Sequence, residues 1–348
     1  MSELRQLKFP AIYSQLAKDF LEAAAQNSTI ELSITKGLRL LNIPSSILET
    51  PEARLNGEQV SLLISLGAWL ARKNTPFSLQ VLQNFKEDSL GMLGLAIINA
   101  DTAEQALEHF QKYAEIFIPG FDFSLQYQEK TLDIVILPLA DFKTIQAHVI
   151  ELIIGIFDYY VKRAGLRFKG EFYVTHKIEA SYKKQLSDAF DSTISCLSPL
   201  NKIRIPRSAL EQKVKAPNSS MHAFYVAQLE ADLLNHAQQE SSASKARRVL
   251  YHNAKQSRFL NRDQLADALS CSHRTLTRKL KAEGTSFQKL LDEVRFTMSK
   301  QALAQSSKST QLVANSIGIT NSAVFCRSFK KWCGMTPSEY RDQASSNL

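Results

Sequence analysis

Cysteine is scarce in this 348-residue chain. Its four residues, Cys196, Cys271, Cys326 and Cys333, are widely spread and form no CxxC pair. That excludes a disulfide-stapled scaffold and a thiolate zinc site, and it points to free thiols in a reducing compartment. Long apolar runs are also missing. Val60–Ala71, the longest nearly apolar stretch, has 12 residues and carries two serines, well short of the roughly 20 residues that cross a bilayer. The opening MSELRQLKFP has no apolar signal-peptide core, so the expectation is a cytoplasmic protein with no membrane partner. Catalytic signatures are absent as well: there is no GxSxG, no HExxH and no metal-ligand spacing. Gly91 and Gly94 flank Met92 and Leu93 without the further glycine or lysine of a phosphate loop. Close helix packing or a tight turn accounts for them. No catalytic residue, metal or cofactor is expected, and the chain reads as a non-enzyme.

What remains is ordinary globular composition, 44% hydrophobic and 22% charged, enough for about two domains. The net charge of +8 is unevenly placed: residues 241–348 carry +11 and residues 1–240 carry −3. A basic end on a slightly acidic body suggests nucleic-acid binding, against the blander reading of a solvated basic surface. The polar stretch Gln238–Ser244 (QQESSAS) reads as a linker. The expected organisation is therefore residues 1–238, a linker over 239–245, and a basic domain over 246–345.

The first domain mixes periods. Phe9–Ala25, Val60–Leu70, Ala103–Phe117 and Val149–Val161 have helical spacing, with Thr102 placed to cap the third. Phe121, Phe123, Leu125 and Tyr127 alternate with polar residues. Glu129-Lys130 then makes a turn into Leu132–Leu137, a β-hairpin pattern. Glu171–Ile178 and Lys202–Ile205 read as further strands, with His176 a polar strand residue. Helices among short antiparallel strands give an α+β domain. Met221–Gln238 reads as a helix whose apolar side packs on its own domain or on a second copy. His109, between Leu107 and Phe110, admits a haem-ligand reading, which leaves haem or redox sensing as an alternative role for this domain. Cys326 beside Arg327 is the one cysteine with a cation next to it.

The basic third carries most information. An apolar helix over Asp263–Leu269 ends near Ser270, and Ser272 is placed to cap a second helix reaching Glu283. Leu276 and Leu280 share one face, while Arg274, Thr277, Arg278 and Lys281 point away. Two short helices with cations outward on the second describe a helix-turn-helix. The pattern recurs about 49 residues later. Ala266, Leu269 and Ser272 match Ala314, Ile317 and Thr320; with one extra residue, Leu276, Arg278, Leu280 and Lys281 match Phe325, Arg327, Phe329 and Lys330. Outward positions on the second copy are Ala323, Cys326, Arg327 and Lys330. Between the copies, Ser286–Gln305 reads as one uninterrupted helix of about 30 Å, close to a turn of B-DNA. An all-α domain with two helix-turn-helix units joined by a long helix is expected. General DNA packaging is the non-specific alternative.

The tail ANSIGITNSAVFCRSFKKWCGMTPSEYR and the first copy's RTLTRKLKAEGTSFQKLLDEVR resemble the DNA-binding domain of the AraC family of bacterial transcription regulators. The resemblance covers about 100 residues. It implies that Arg274, Thr277 and Arg278 face DNA from the first recognition helix, and Ser322, Ala323 and Arg327 from the second. Ala323 departs from that family's usual small polar residue, which implies a second head that grips backbone more than bases. DSLGMLGLAIINADTAEQALEHFQKYAEI and FYVTHKIEASYKKQLSDAFDSTISCLSPLNKIRIPRSAL are similar to the effector domain called arabinose-binding-like, found in regulators of amino-acid catabolism and virulence. Nothing in them resembles a cupin barrel. The resemblance implies an effector-responsive regulator, such as an activator, whose partners are double-stranded promoter DNA, a small-molecule effector, RNA polymerase and a possible second copy. Aromatics around Phe110–Phe123 and Tyr159–Tyr160 are candidates for the effector pocket or for the core.

Overall fold

The computed structural model describes residues 4, 7–10, 13, 38–39, 43–44, 54–71, 74–140, 142–305 and 308–345. The helix expected over Phe9–Ala25 lies almost wholly outside them. The chain divides into two compact units: Glu3–Cys196 with Asn201–Gln238, and Gln239–Leu348 with Leu197–Leu200. The first is α+β and the second helical.

In the first unit, β1 (Lys8–Phe9) pairs with β2 (Leu55–Asn56), and α1 (Gly57–Leu70) follows directly. Asn56 and Gln59 form a reciprocal capping box, each side chain accepting from the other's backbone N–H at 3.0 and 2.9 Å. Next come α2 (Phe77–Leu82), α3 (Gly91–Asn99) and α4 (Ala103–Phe117). As expected, Thr102 caps α4, its hydroxyl accepting from Gln105 N at 3.2 Å. Gly94 is where α3 meets its neighbours: a Cβ there would lie 2.0 Å from the Tyr160 hydroxyl and 2.6 Å from the Glu87 carbonyl. This close approach, not phosphate binding, explains that glycine.

The hairpin forms as its alternation requires. β3 (Phe121–Tyr127) pairs antiparallel with β4 (Thr131–Pro138), with Tyr127 opposite Leu132. α5 (Gln146–Arg163) then buries Ile150, Ile153 and Ile154. By length and apolar composition, Lys143–Arg163 is a candidate bilayer span, but that buried face packs into the unit's core. β5 (Glu171–Tyr173), α6 (Ala180–Phe190), β6 (Thr193–Ser195), β7 (Asn201–Pro206) and α7 (Ser219–Gln239) complete the unit. The sheet order is β3-β4-β7-β5-β6, and β5 pairs with β6 in parallel. The strands are antiparallel as expected except at this edge, where α6 supplies the crossover a parallel pair needs.

The strand expected over Glu171–Ile178 ends at Tyr173, because Thr175 N turns to donate to the Asn201 side chain at 2.8 Å. His176 thus lies beyond the strand, with Nε2 3.0 Å from Glu151 Oε1. On the sheet, Asp133 of β4 is buried and accepts from Arg204 and Lys202 of β7 at 2.6 to 2.9 Å. Burial alone would raise this carboxyl, but the Arg204 and Lys202 hydrogen bonds outweigh it and hold it below the usual range.

The second unit consists of α8 (Ser242–Lys255), α9 (Arg262–Ala268), α10 (His273–Ala282), α11 (Phe287–Gln305), α12 (Thr310–Ser316), α13 (Ser322–Cys333) and α14 (Pro337–Ser345). The stretch read as a linker is mostly helix. α7 runs to Gln239 and α8 starts at Ser242, which leaves Glu240 and Ser241 between them. Ser241 caps α8, and the Glu283 carboxylate accepts from Ser242 N and Ala243 N at 3.0 and 2.7 Å. A negative group on free N-terminal amides stabilises a helix that composition alone does not announce.

Candidate nucleic-acid interface

Each half of the second unit builds one helix pair. In the first, Asn261 and Gln264 form a capping box that starts α9. The chain turns through Ser270 at φ 50°, a left-handed conformation. Ser272 then starts α10, its hydroxyl accepting from Thr275 N at 3.2 Å. Leu265 and Ala266 of α9 meet Leu276 and Leu280 of α10 in the interior, all four at most 2% exposed. With those leucines inward, the helical period leaves Arg274, Thr277, Arg278 and Lys281 outward, and all four are exposed. Among the described residues, none holds any of these four side chains in a hydrogen bond or ion pair. Three cations and a hydroxyl therefore face solvent on one short helix.

The second half repeats this with a difference. Ser309 caps α12, and the chain turns through Gly318 at φ 71°. A Cβ at Gly318 would lie 2.7 Å from the Phe259 ring, so both the dihedral and the space require glycine. The cap of α13 is Asn321, whose Oδ1 accepts from Ala323 N and Val324 N at 2.8 and 3.2 Å. Thr320, the residue matched to Ser272, is thus one position too early. The extra residue of the second copy falls between Gly318 and Asn321. Beyond it the repeat runs at a constant 49 residues, with Phe325 and Phe329 fully buried. Arg327, Lys330 and Ala323 are exposed, while Ser322 and Cys326 are half-buried. At this spacing Ala323 stands where the first helix has Arg274, and Cys326 where it has Thr277.

α11 joins the halves without a break. Its 19 residues give about 28 Å at 1.5 Å per residue. The buried Arg247 of α8 donates to Glu293 Oε2 at 3.1 and 3.2 Å. Toward the other half, Arg295 donates to the carbonyls of Ile317 and Gly318 at 3.2 Å, closing the C-terminal end of α12. One helix is therefore fastened to α8 through Glu293 and to the end of α12 through Arg295, two residues further on.

In the first unit, the aromatic candidates and His109 fall into different settings. Phe110, Phe123 and Tyr160 line an apolar cavity, and Tyr159 stacks edge-on to Phe85 at 4.9 Å. The Nε2 of His109 is engaged, 2.9 Å from Nε2 of His222 on α7. Burial, then the His222 and Lys112 charges, lower its pKa. Among the described residues, no group of three His, Cys, Asp or Glu side chains is placed to hold a metal ion.

Comparison with known proteins divides the chain in the same way. A family model described as the arabinose-binding domain of AraC transcription regulators, N-terminal, matches residues 32–214. A helix-turn-helix domain model matches residues 265–343. The ornithine utilization regulator of Pseudomonas aeruginosa is 29% identical over 162 residues, which is 47% of this chain and 47% of that protein. The chain therefore aligns with about half the length of that relative. The urease operon transcriptional activator of Escherichia coli is 39% identical over 82 residues, 24% of this chain and 28% of that protein. Among solved structures, the transcriptional regulator CdpR from Pseudomonas aeruginosa aligns over 93% of this chain and 98% of its own, at 17% identity and a TM-score of 0.42. These comparisons lend no support to a haem-sensing reading.

Proposed function

The chain belongs to the AraC family of transcription regulators, and from that premise we propose that it binds promoter DNA sequence-specifically under the control of a small-molecule effector. Residues 1–238 form the effector part and residues 246–345 the DNA-binding part. The observation that carries the reading is the doubled helix pair, with exposed cations on both second helices and one continuous helix between them. The two heads enter successive major grooves on one side of the duplex. Arg274 reads guanine through O6 and N7, flanked by Thr277 and Arg278, and Lys281 holds phosphate. In the second head Arg327 reaches the groove, Lys330 holds phosphate, and Ser322 and Ala323 pack against the backbone.

The effector acts by binding one arrangement of the protein more tightly than another. The protein works in the cytoplasm, with RNA polymerase as its eventual partner, and without catalysis. A second copy pairs through α7. Phe224, Ala227, Ala231 and Leu234 are all exposed, at the alternating three- and four-residue spacing of a helix–helix seam.

The test is geometric. A site with five base pairs inserted between its two protected segments turns the second segment to the opposite face. Binding then falls to that of one head, about 10²-fold or more below the original site. Equal affinity for both sites would mean that only one head reads DNA.

A further inference from the structure

The first unit contains a cavity of about 80 Å³ between α4, α5 and the sheet. Phe110 of α4, Phe123 of β3, Ile134 of β4, Phe157 of α5 and Ile205 of β7 stand on its walls. A second cavity of about 100 Å³ lies beyond Ile118, Ile153 and Ile156, which line both. Three isoleucines are thus the partition between two lobes of one apolar interior.

Two observations separate this space from an accidental packing gap. Void in an apolar core lowers stability in proportion to its volume, and a larger neighbouring side chain removes it. Here four wall positions are alanine: Ala103, Ala106, Ala164 and Ala209, each at most 8% exposed. Small residues keep open a space that leucine or valine would close. The second observation is the absence of polar valence. Among the described wall residues of the first lobe, only Tyr160 carries a polar side-chain atom, and its hydroxyl already donates to the Glu87 carbonyl at 2.9 Å. Most of the other wall residues belong to helices and strands whose backbone groups bond one another.

A pentose, or an amino-acid zwitterion such as ornithine, would bury hydroxyls or charges here without partners, which is strongly unfavourable. We propose that this cavity is the effector site and that it takes an uncharged, hydrocarbon-rich small molecule in place of a sugar or amino acid. An apolar cavity of about 150 Å³ holds benzene, so the two lobes together, about 80 and 100 Å³, suit a molecule of about six or seven carbons. The inference rests on reading this unit as an effector domain, and adds the chemistry of the ligand.

The test uses the full chain, with toluene as the apolar probe and L-arabinose and L-ornithine as polar ones. Toluene at about ten times its Kd raises the Tm of this unit by about 4 °C, and the polar probes leave it unchanged. Ala106→Leu and Ala209→Val fill the first lobe and reduce the toluene shift to less than a third. No toluene shift in the wild type, or an undiminished shift in both filled variants, overturns the assignment. A polar compound that changes DNA affinity equally in wild type and Ala106→Leu also overturns it, while leaving the effector reading standing. Should neither variant fold, nuclear Overhauser contacts from toluene to the Ala106 and Ala209 methyls decide: their presence supports the site and their absence overturns it.

Discussion

At 49-residue spacing, Leu276 and Leu280 of the first helix pair become Phe325 and Phe329 of the second, and all four are buried. The outward faces do not follow suit. Arg274 and Thr277 give way to Ala323 and Cys326, while Arg278 and Lys281 persist as Arg327 and Lys330. The turns diverge too: the first uses Ser270 at φ 50°, the second Gly318 at φ 71° against a phenyl ring. Packing constrains the inward positions to large apolar side chains. The outward ones answer only to a partner, so the side that differs is where the two heads divide their work. The cations kept in both lie toward the C-terminal half of each helix; the arginine kept in one lies at its first turn.

The comparison breaks most severely if the helix linking the heads is interrupted. Val294 is buried near the middle of α11, and Val294→Pro should remove a backbone hydrogen bond and cost about 3 kcal/mol or more. Footprinting should then show one protected segment where the wild type protects two. Next in size is the turn. Gly318→Val should cost about 2–4 kcal/mol in urea unfolding, from the positive φ and the Phe259 contact together. Ser270→Gly should move the other way, by about 0.5–1 kcal/mol, since it relieves a left-handed serine. Similar results at both turns would show that the two are not built differently.

The heads themselves are distinguished by DNA titrations. Arg274→Ala should weaken specific binding by about 1–3 kcal/mol and relax base preference at one or two positions. Lys330→Ala should weaken specific and random DNA alike and lower the salt slope by about 1. An intact preference after Arg274→Ala would place the wrong face of α10 on DNA. An effect of about the same size as that at Ser270 concerns Lys300 of α11, beside the aromatic core of the second half. Burial lowers the pKa of Lys300, whose Nζ lies 4.5 Å from the centre of the Phe296 ring. Its protonated form therefore opposes folding at neutral pH, and that opposition fades as pH rises through the lowered folded value toward the ordinary lysine range. Lys300→Met should stabilise by about 1 kcal/mol at pH 7 and by less at pH 10, measured by urea unfolding at both.

Much of this was readable in sequence where a single period governs a segment. The α4 cap at Thr102, the β3–β4 hairpin and the inward leucines of α10 all follow from local pattern and short-range hydrogen bonds. The misreadings share a cause: a distant partner decided the outcome. Ser242, Ala243 and Ser244 look like linker residues until the Glu283 carboxylate, forty residues away, takes up the free amides of the first two. His176 looks like a strand residue until Asn201 captures Thr175 N. The cap of α13 moves from Thr320 to Asn321 because the longer second turn shifts the helix start, which counting from Ala314 does not reveal. Most of the candidate DNA-facing residues were legible, being the complement of an apolar stripe. The cavity was not, because the alanines that keep it open carry no periodic signal of their own.

The way α11 is fastened has a consequence for how the second unit opens. The helix packs on α8 through Arg247 and Glu293, contributes the buried Leu303 to the core around Phe325 and Phe329, and closes α12 through Arg295. Each half therefore lacks part of its own interior once α11 frays. Unfolding of one half exposes surface that belongs to both, so the nearest-neighbour coupling between the repeats is strong compared with the stability of either alone. Native-state hydrogen exchange should accordingly find the amides of Leu290, Val294 and Leu303 opening in a single event with those of α10 and α13, at one shared free energy. Two reading heads that melt together also remain in register together, whatever load either one bears.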